Sequence, residues 1–449
     1  AAIQFPYQLS YGEGPLLNHA YRLAQGAQIY TRDLEDYPYV VVNYPPIYIY
    51  LYASFGRFLG FSLGVGRAIS FIASLAVAVS LGATAYALCR DRVAAGVAGL
   101  AFLGQPYVAV WSGFARVDLL ALALASAGLA VAAWHPRRRW SPYASAALMV
   151  LAAFTRQSFL LAFPLGALVQ FYVHDRRQAA TFGVTLGVAV GLLAIALNQA
   201  TGGGALIHLI VANVNRMSWS LLRDSLLHLV AISGAALVVA VLVAWRMVRQ
   251  RARTMFALIA LLLGAGLSSL TVAKVGSSIN YFLEIAAAIA LLCAVGLARS
   301  GARRATLLLV AVLVAQAFVY GYWNWSSFRG YMGLRTRAPQ FEALYDLVRQ
   351  ERGAILADDH MAALVQGGHE VLLQPFEFSQ LARGGVWDES RVVADITAGR
   401  FALVIIRDQG DLRGTRPAER WTAAMLDALD HRYAVQQRFA DVSVYVPRR

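Results

Sequence analysis

The sequence predicts a mainly α-helical, polytopic membrane protein: a bundle of membrane helices followed by a C-terminal extracytoplasmic α/β domain. The 449 residues are 59% hydrophobic and only 14% charged, and the mean hydropathy is +0.54. Ordinary soluble domains carry about 25% charged residues. Long apolar runs recur between residues 64 and 323, and the chain changes character after residue 323. This composition excludes a water-soluble enzyme.

The charges are distributed as in a membrane protein. Residues 1–323 hold 23 basic and nine acidic residues, whereas residues 324–449 hold 16 of each, so the net charge of +14 lies in the apolar part. A nucleic-acid-binding protein would gather its basic residues in a soluble domain with stacking aromatics, so no nucleic-acid partner is expected. Cys89 and Cys293 lie far apart in apolar runs and predict neither a disulfide framework nor a zinc site.

Ten apolar runs predict about ten membrane spans, since a span needs roughly 17–25 such residues. They are 64–88, 93–111, 118–134, 142–155, 158–173, 179–198, 225–246, 254–272, 280–297 and 305–323. Arginine clusters fall between alternate runs, and the positive-inside rule makes those loops cytoplasmic. The clusters lie at 90–92, 137–139, 176–177, 246–253 and 299–304.

Parity then orients the chain. Residues 1–62 form a first extracytoplasmic loop with interfacial helices, 63–323 form the bundle, and 324–449 form the soluble domain outside. The segment 142–173 is too short for two ordinary spans and predicts a helical hairpin that turns at Thr155, Arg156 and Gln157. We expect a multi-pass protein of the plasma (inner) membrane. Because the chain starts outside without an initiator Met, a further N-terminal helix or a cleaved signal peptide is expected before it.

The C-terminal segment alternates between helical and strand-like stretches. The predicted strands are Gly353 to Ala357, Val371 to Leu373, Ala402 to Ile406 and Val442 to Val446. The predicted helices are 338–351, 388–398 and 416–430.

Acidic residues concentrate on the predicted outer face, which topology does not require. Glu13 lies between two glycines, where a tight turn can leave its carboxylate open to a ligand. A lone loop carboxylate is otherwise simply solvated. Asp118 begins an apolar helix, where it either has a chemical role or only satisfies the helix N-terminus.

Basic residues in the outer half suggest an anion site. Arg156 at membrane depth is costly, by about 2.5–3.5 kcal/mol, and a phosphate would match its fork of donors. Lys274 is the only lysine among 39 basic residues. Asn280, Tyr281 and Glu284 follow at helical spacing, and Glu284 needs a partner such as Lys274, Arg156 or a ligand; a structural ion pair is the alternative.

Several nucleotide and hydrolase motifs are missing from the sequence. The C-terminal segment has no GxGxxG or P-loop, and the TGGGA run at 201–205 follows a membrane helix, which is the wrong context for a phosphate loop. No Ser/His/Asp set or HExxH helix is visible. A reaction on the outer face would therefore take its activated group from a lipid carrier rather than from a nucleotide.

These residues resemble GT-C membrane glycosyltransferases, in particular the group of bacterial members that contains protein O-mannosyltransferases and the lipid A aminoarabinose transferase. The likeness covers residues 1–323 in order and spacing. It includes an acid after the first membrane helix, Tyr44 to Pro46, Gly66-Arg67, Asp118, TRQS at 155–158 and INYFLE at 279–284. Where well-known members have Asp-Glu, this chain has Gly12-Glu13.

The resemblance implies an inverting, hexosyltransferase-type transfer of a sugar from a polyprenyl-phosphate donor to a lipid, glycan or protein acceptor in the cell envelope. Glu13 is the expected general base, with Asp118 orienting the acceptor, stabilising the oxocarbenium-like charge or taking more of the base's work. The donor phosphate is expected to bind Arg156, Lys274, Arg67 and Arg116. The substrate-lining residues would be Gln157, Asn280, Tyr281, Glu284 and Tyr44.

Some alternatives stay open at this level. Glu13 and Asp118 could hold a divalent cation, although nothing in the sequence requires a metal or another cofactor. A non-catalytic scaffold of the same fold would tolerate loss of both carboxylates. A lipid-linked sugar flippase or transporter would need polar residues through the full membrane depth, whereas here they cluster in the outer half.

Overall fold

A computed structural model describes residues 2–213, 215–301, 303–439 and 442–448, with the side chain of Thr254 excepted. Helices form almost the whole of the apolar part. Their bounds are α1 Glu13–Ala24, α2 Ile47–Leu59, α3 Leu63–Cys89, α4 Arg92–Leu103, α5 Pro106–Trp111, α6 Asp118–Trp134, α7 Ser141–Ala153, α8 Ala162–Tyr172, α9 Arg176–Ala200, α10 Gly204–Leu209, α11 Trp219–Arg249, α12 Phe256–Ser269, α13 Leu283–Ala298 and α14 Arg303–Thr336.

Within the described residues, six helical segments are long and apolar enough to cross a membrane. They comprise α3, α9, α11, α12 with the 3-10 turn that follows it, α13 with the turn that precedes it, and α14. The other predicted runs form the shorter helices α4 to α8. The run 93–111 is divided because Pro106 begins α5 and lacks the amide that would continue α4. The chain is a multi-pass integral membrane protein.

The helix α13 lies at the centre of the bundle. It packs against α3, α4, α11 and α12, and nearly all its residues are buried. Its sequence LEIAAAIALLCAVGLA is rich in small residues, which let neighbouring helices approach closely. By contrast, α9 and α14 bury few residues, so their apolar side chains are available to face lipid.

The predicted hairpin at 142–173 is present as α7 and α8. Between them the chain becomes extended at Arg156 and then forms a 3-10 turn, Gln157–Leu160. α8 in turn packs closely on α12, where a Cβ on Gly264 would lie only 2.7 Å from the Cα of Ala162. The turn that carries Arg156 is therefore supported by a tight helix–helix contact.

The C-terminal segment forms an α/β domain around one four-stranded sheet. Its elements are α15 Ala338–Gln350, β1 Ile355–Ala357, α16 Met361–Gly367, α17 Pro375–Arg383, α18 Ser390–Thr397, β2 Leu403–Ile406, α19 Thr415–Arg420, α20 Ala423–Arg432, β3 Tyr433–Phe439 and β4 Val442–Pro447. The strand order is β1-β2-β4-β3; β1 and β2 are parallel, and the other pairs are antiparallel.

Two predictions for this domain are wrong. Val371 to Leu373 does not join the sheet, because this stretch pairs with the loop between α1 and α2 instead. Tyr39 N donates to Leu372 O at 2.7 Å, and Gln374 N donates to Tyr39 O at 3.0 Å. The helix predicted over 416–430 is two helices, since Trp421 and Thr422 are extended and the Thr422 side chain caps α20.

The first loop, which is the segment before α3, and the C-terminal domain share one hydrophobic core. Leu16 and Leu17 of α1 belong to the same cluster of buried residues as Leu344 of α15 and Met361 of α16. The predicted domain boundary after residue 323 falls inside α14, which continues to Thr336. The first loop is thus held between the bundle and the C-terminal domain.

Candidate active site

A cavity of about 560 Å³ lies where the first loop, the ends of several bundle helices and the C-terminal domain meet. One wall comes from the α7–α8 turn and from the loop between α12 and α13. A second wall comes from the first loop, and a third from α17 and α19. Four cations line it: Arg116, Arg156, Lys274 and Arg420.

Arg156 is held in place by Asp118. Its Nη1 forms an ion pair with Asp118 Oδ1, and its guanidinium lies 4.6 Å from the centre of the Tyr281 ring. The backbone at Arg156 is extended, and its side chain reaches Asp118 at the start of α6. This contact fixes the direction of the guanidinium while the residue still lines the cavity.

Arg116 extends from the loop before α6 towards the first loop. Its Nη2 donates to the Tyr44 hydroxyl at 2.9 Å, and its Nε lies 3.8 Å from Asp118 Oδ2. The guanidinium occupies the space that a side chain on Gly12 would need, since a Cβ there would lie 1.4 Å from Nη1. Asp118 therefore pairs with two arginines, Arg116 and Arg156, so this group of three side chains has a net positive charge.

Lys274 lies in the loop after α12, which pairs with the segment before α11 through Val275 N to Arg216 O at 2.9 Å. Its Nζ donates to Asn213 Oδ1 at 3.1 Å. Burial lowers the pKa of Lys274, and the neighbouring Arg156 lowers it further. A bound anion would oppose both effects.

Glu13 does not have the open carboxylate that its two glycine neighbours predicted. It is 0% exposed and forms a bidentate pair with Arg67, also 0% exposed, through bonds of 2.7 and 2.9 Å. The amides of Leu9, Ser10 and Ala115 donate to the same two oxygens. The donors surround the carboxylate because Arg67, inside α3, also binds the carbonyls of the first loop.

Asp118 is equally enclosed. Trp111 Nε1 donates to it at 3.0 Å and Asn280 Nδ2 at 2.7 Å, in addition to Arg156. Asp118, Asn280, Glu13 and Arg67 are not among the residues that line the cavity. They contact neighbouring segments instead: Arg67 and Glu13 bind the first loop, and Asp118 binds both Asn280 and Arg156.

Of the predicted substrate-lining residues, Tyr44, Gln157 and Tyr281 line the cavity. Glu284 does not. It is buried in the first turn of α13, and its Oε1 has no hydrogen-bond partner among the described residues. The predicted pairing of Glu284 with Lys274 or Arg156 is not formed, because Lys274 binds Asn213 and Arg156 binds Asp118.

Sequence reasoning missed the residues that the C-terminal domain adds to the cavity, among them Glu377 and Arg420. Glu377 lies in the first turn of α17, and Arg420 ends α19. The Tyr11 hydroxyl donates to Glu377 Oε2 at 2.6 Å, and the Arg420 guanidinium lies 4.8 Å from the Tyr11 ring. Nothing local distinguishes either residue from the other charges of a soluble domain. Only the docking of that domain on the first loop brings them here.

No three or more His, Cys, Asp or Glu residues form a metal-binding group in the described ranges. Glu13 and Asp118, the pair suggested for a cation, bind different arginines instead. Their oxygens already accept from cationic and amide donors, so the arrangement does not fit a metal ligand set.

Comparison with known proteins links this architecture to solved structures but not to any sequence family. Neither a protein-family model nor a curated protein sequence matches the chain. The apo structure of ArnT from Cupriavidus metallidurans aligns over 99% of this chain and 94% of its own, with a TM-score of 0.68 and 15% identity. ArnT bound to undecaprenyl phosphate gives a TM-score of 0.65 at 14% identity, over 99% and 95% of the two chains.

A more distant similarity extends to an archaeal enzyme. The oligosaccharyltransferase AglB from Archaeoglobus fulgidus, in complex with an inhibitory peptide and a dolichol-phosphate, aligns over 99% of this chain and 71% of its own. The TM-score is 0.57 and the identity 10%. ArnT, a lipid A aminoarabinose transferase, and AglB are both GT-C proteins. The chain therefore shares the GT-C fold with these two proteins.

Proposed function

We propose that this protein is a membrane glycosyltransferase that moves a sugar from a polyprenyl-phosphate donor to an acceptor on the extracytoplasmic face, with inversion. The single observation that carries the proposal is the convergence of Arg116, Arg156 and Lys274 on one cavity. One carboxylate, Asp118, pairs with two of these cations, Arg116 and Arg156. Such an excess of positive charge suits a phosphate, which accepts several charge-assisted hydrogen bonds at once.

The position of these cations suits a lipid-borne donor. The α7–α8 turn and the loop before α13 lie at the ends of apolar helices, so a prenyl chain could stay beside the bundle while its phosphate enters the cavity. ArnT has been solved with undecaprenyl phosphate and AglB with a dolichol-phosphate, and both share the fold. The C-terminal domain, which closes the cavity on one side, would then lie outside the membrane.

The chemistry requires stabilisation of the leaving group. As the bond between the anomeric carbon and the phosphate oxygen breaks, negative charge grows on the polyprenyl phosphate, and fixed cations lower the energy of that transition state. We assign this role to Arg156 and Lys274, with Arg116 beside them. Arg67 acts indirectly, through Glu13 and the first-loop carbonyls. A direct catalytic role for Glu13 or Asp118 stays a prediction; their surroundings favour positioning the first loop and the arginines.

The proposal is tested with purified protein, a panel of labelled undecaprenyl-phosphate hexoses and pentoses, and bacterial envelope membranes as the acceptor source. Release of undecaprenyl phosphate together with labelled product is expected for wild type. Lys274→Ala should slow this release by about 10²-fold or more, the loss seen when one transition-state donor is removed.

The matched control is the variant Arg223→Ala/Arg416→Ala, which removes two exposed arginines outside the cavity and should retain the wild-type rate. Equal rates for wild type and Lys274→Ala would contradict the assignment. No turnover with any donor would favour a scaffold of the same fold, whereas movement of intact donor between leaflets of proteoliposomes would favour a flippase.

A further inference from the structure

Glu377 lies in the first turn of α17, and the residues around it contact both the first loop and the loop after α12. Gln374, just before α17, is fully buried; its backbone bonds to Tyr39 and its side chain accepts from Val41 N at 2.9 Å. Towards the bundle, the Phe376 ring fills the space beside Gly276, where a Cβ would lie 2.5 Å from Phe376 Cζ. The first turn of α17 is thus fixed between the first loop and the loop after α12.

The surroundings of Glu377 differ from those of the other carboxylates. It is 8% exposed, lines the cavity, and accepts from Tyr11 through Oε2. No other side chain in the described part of the chain donates to its carboxylate, whereas both oxygens of Glu13 and Asp118 are occupied. Glu419, the other acid of the cavity wall, is exposed.

Burial and three neighbouring side chains shift the pKa of Glu377. Burial raises its pKa to about 7, against the opposing effects of the Tyr11 hydroxyl and of the charges on Arg420 and Arg116. Arg420 is itself held by Asp359 at 3.2 Å and by the Asp358 carbonyl at 2.9 Å. A general base is most effective when its pKa lies near the working pH.

We propose that Glu377 is the general base of the transfer, so that the C-terminal domain completes the active site. This inference rests on the glycosyltransferase function proposed above. The acceptor hydroxyl gives its proton to Glu377 as its oxygen forms the new bond to the anomeric carbon. The bond from that carbon to the phosphate oxygen breaks, and its electron pair leaves with the polyprenyl phosphate towards Arg156 and Lys274. The proton on Glu377 then passes to solvent.

Two variants separate this role from a structural one. Glu377→Gln keeps the shape and can still accept from Tyr11, but it cannot take a proton. We expect its turnover to fall by about 10²-fold or more, with unchanged retention of undecaprenyl phosphate in native mass spectrometry and an unchanged melting temperature. Tyr11→Phe removes a donor that favours the charged carboxylate, so the acid limb of the pH–rate profile should shift to higher pH.

The pH–rate profile of the wild type should lose activity below about pH 7, as Glu377 becomes protonated, and Glu377→Gln should lack that limb. Glu370→Gln, an exposed carboxylate of the same domain outside the cavity, is the control and should match wild type. Wild-type turnover in Glu377→Gln would overturn the base assignment alone. A wild type that neither transfers sugar nor retains undecaprenyl phosphate would overturn the proposed function and the base with it.

Discussion

At the scale of single residues, Glu13 and Asp118 have similar positions and similar structural roles. Glu13 begins α1 and Asp118 begins α6, and each is fully buried against an arginine from another element. A buried charge of this kind is tolerated only when it is paired and hydrogen-bonded. Glu13 ties the first loop to α3, and Asp118 ties the α7–α8 turn to α6. Two cations of the cavity, Arg116 and Arg156, are held by Asp118 in this way.

Gly12 provides a test at this scale. Its backbone is helical, with φ −70°, so the residue is not needed for backbone freedom; it is needed for the room that Arg116 occupies. Gly12→Ala should displace the Arg116 guanidinium and weaken retention of undecaprenyl phosphate by about tenfold or more, since a hydrogen bond to a charged group contributes about 1.5–3 kcal/mol. Native mass spectrometry of a lipid titration measures this.

The control for Gly12→Ala is Gly96→Ala in α4, where a new Cβ meets nothing within 4 Å. That variant should retain lipid as wild type does. Equal retention by Gly12→Ala would mean that Arg116 does not contact the phosphate.

At the scale of elements, the α7–α8 turn depends on how closely α8 approaches α12. Gly264 allows this approach, because any side chain there would meet the backbone of Ala162. Backbone cannot yield as a flexible side chain can. The contact thus links packing within the bundle to the position of Arg156, six residues before Ala162.

Gly264→Ala should therefore destabilise the fold by about 1–3 kcal/mol, the usual cost of overpacking, and should also lower the transfer rate. Gly266→Ala, two residues along the same helix, meets nothing within 4 Å and should be neutral or slightly stabilising, as alanine is the better helix former. Thermal unfolding in detergent compares the two. Equal melting temperatures for the two variants would contradict this role of Gly264.

At the scale of the whole molecule, the first loop and the C-terminal domain form one packed unit above the bundle. Leu344 of α15 is fully buried in the cluster that contains Leu16 and Leu17 of α1. Both walls of the cavity outside the bundle depend on that cluster. A change in the core of one part should consequently loosen the other.

Leu344→Ala measures this coupling. The deleted side chain should cost about 2–5 kcal/mol and raise hydrogen exchange in both α1 and β1, although α1 lies more than 300 residues away in sequence. Exchange in α13, at the centre of the bundle, serves as the internal control and should not change. Faster exchange confined to the C-terminal domain would show that the first loop is stable without it.

Structure that depends on local interactions can be predicted from this sequence, whereas contacts between residues far apart in the chain cannot. Apolar runs and arginine clusters predict the helices of the bundle, because those signals are local. Arg156, Lys274 and Arg116 could be predicted as cavity residues because cations near apolar helix ends need partners. The contact between Glu13 and Arg67 and the position of Glu377 in the cavity could not be predicted. Each depends on side chains 54 or more residues apart in the sequence. The same holds for Val371 to Leu373, which pairs with Tyr39 rather than with its own sheet.

We propose that Arg156 and Lys274 hold a polyprenyl phosphate. Native mass spectrometry of the lipids that co-purify with the detergent-extracted protein tests it most directly, with wild type beside Arg156→Ala/Lys274→Ala and Lys274→Ala alone. We predict a polyprenyl phosphate or its glycoside on wild type, reduced in Lys274→Ala and lost in the double variant. Bulk phospholipid alone, the same in all three proteins, would contradict the account.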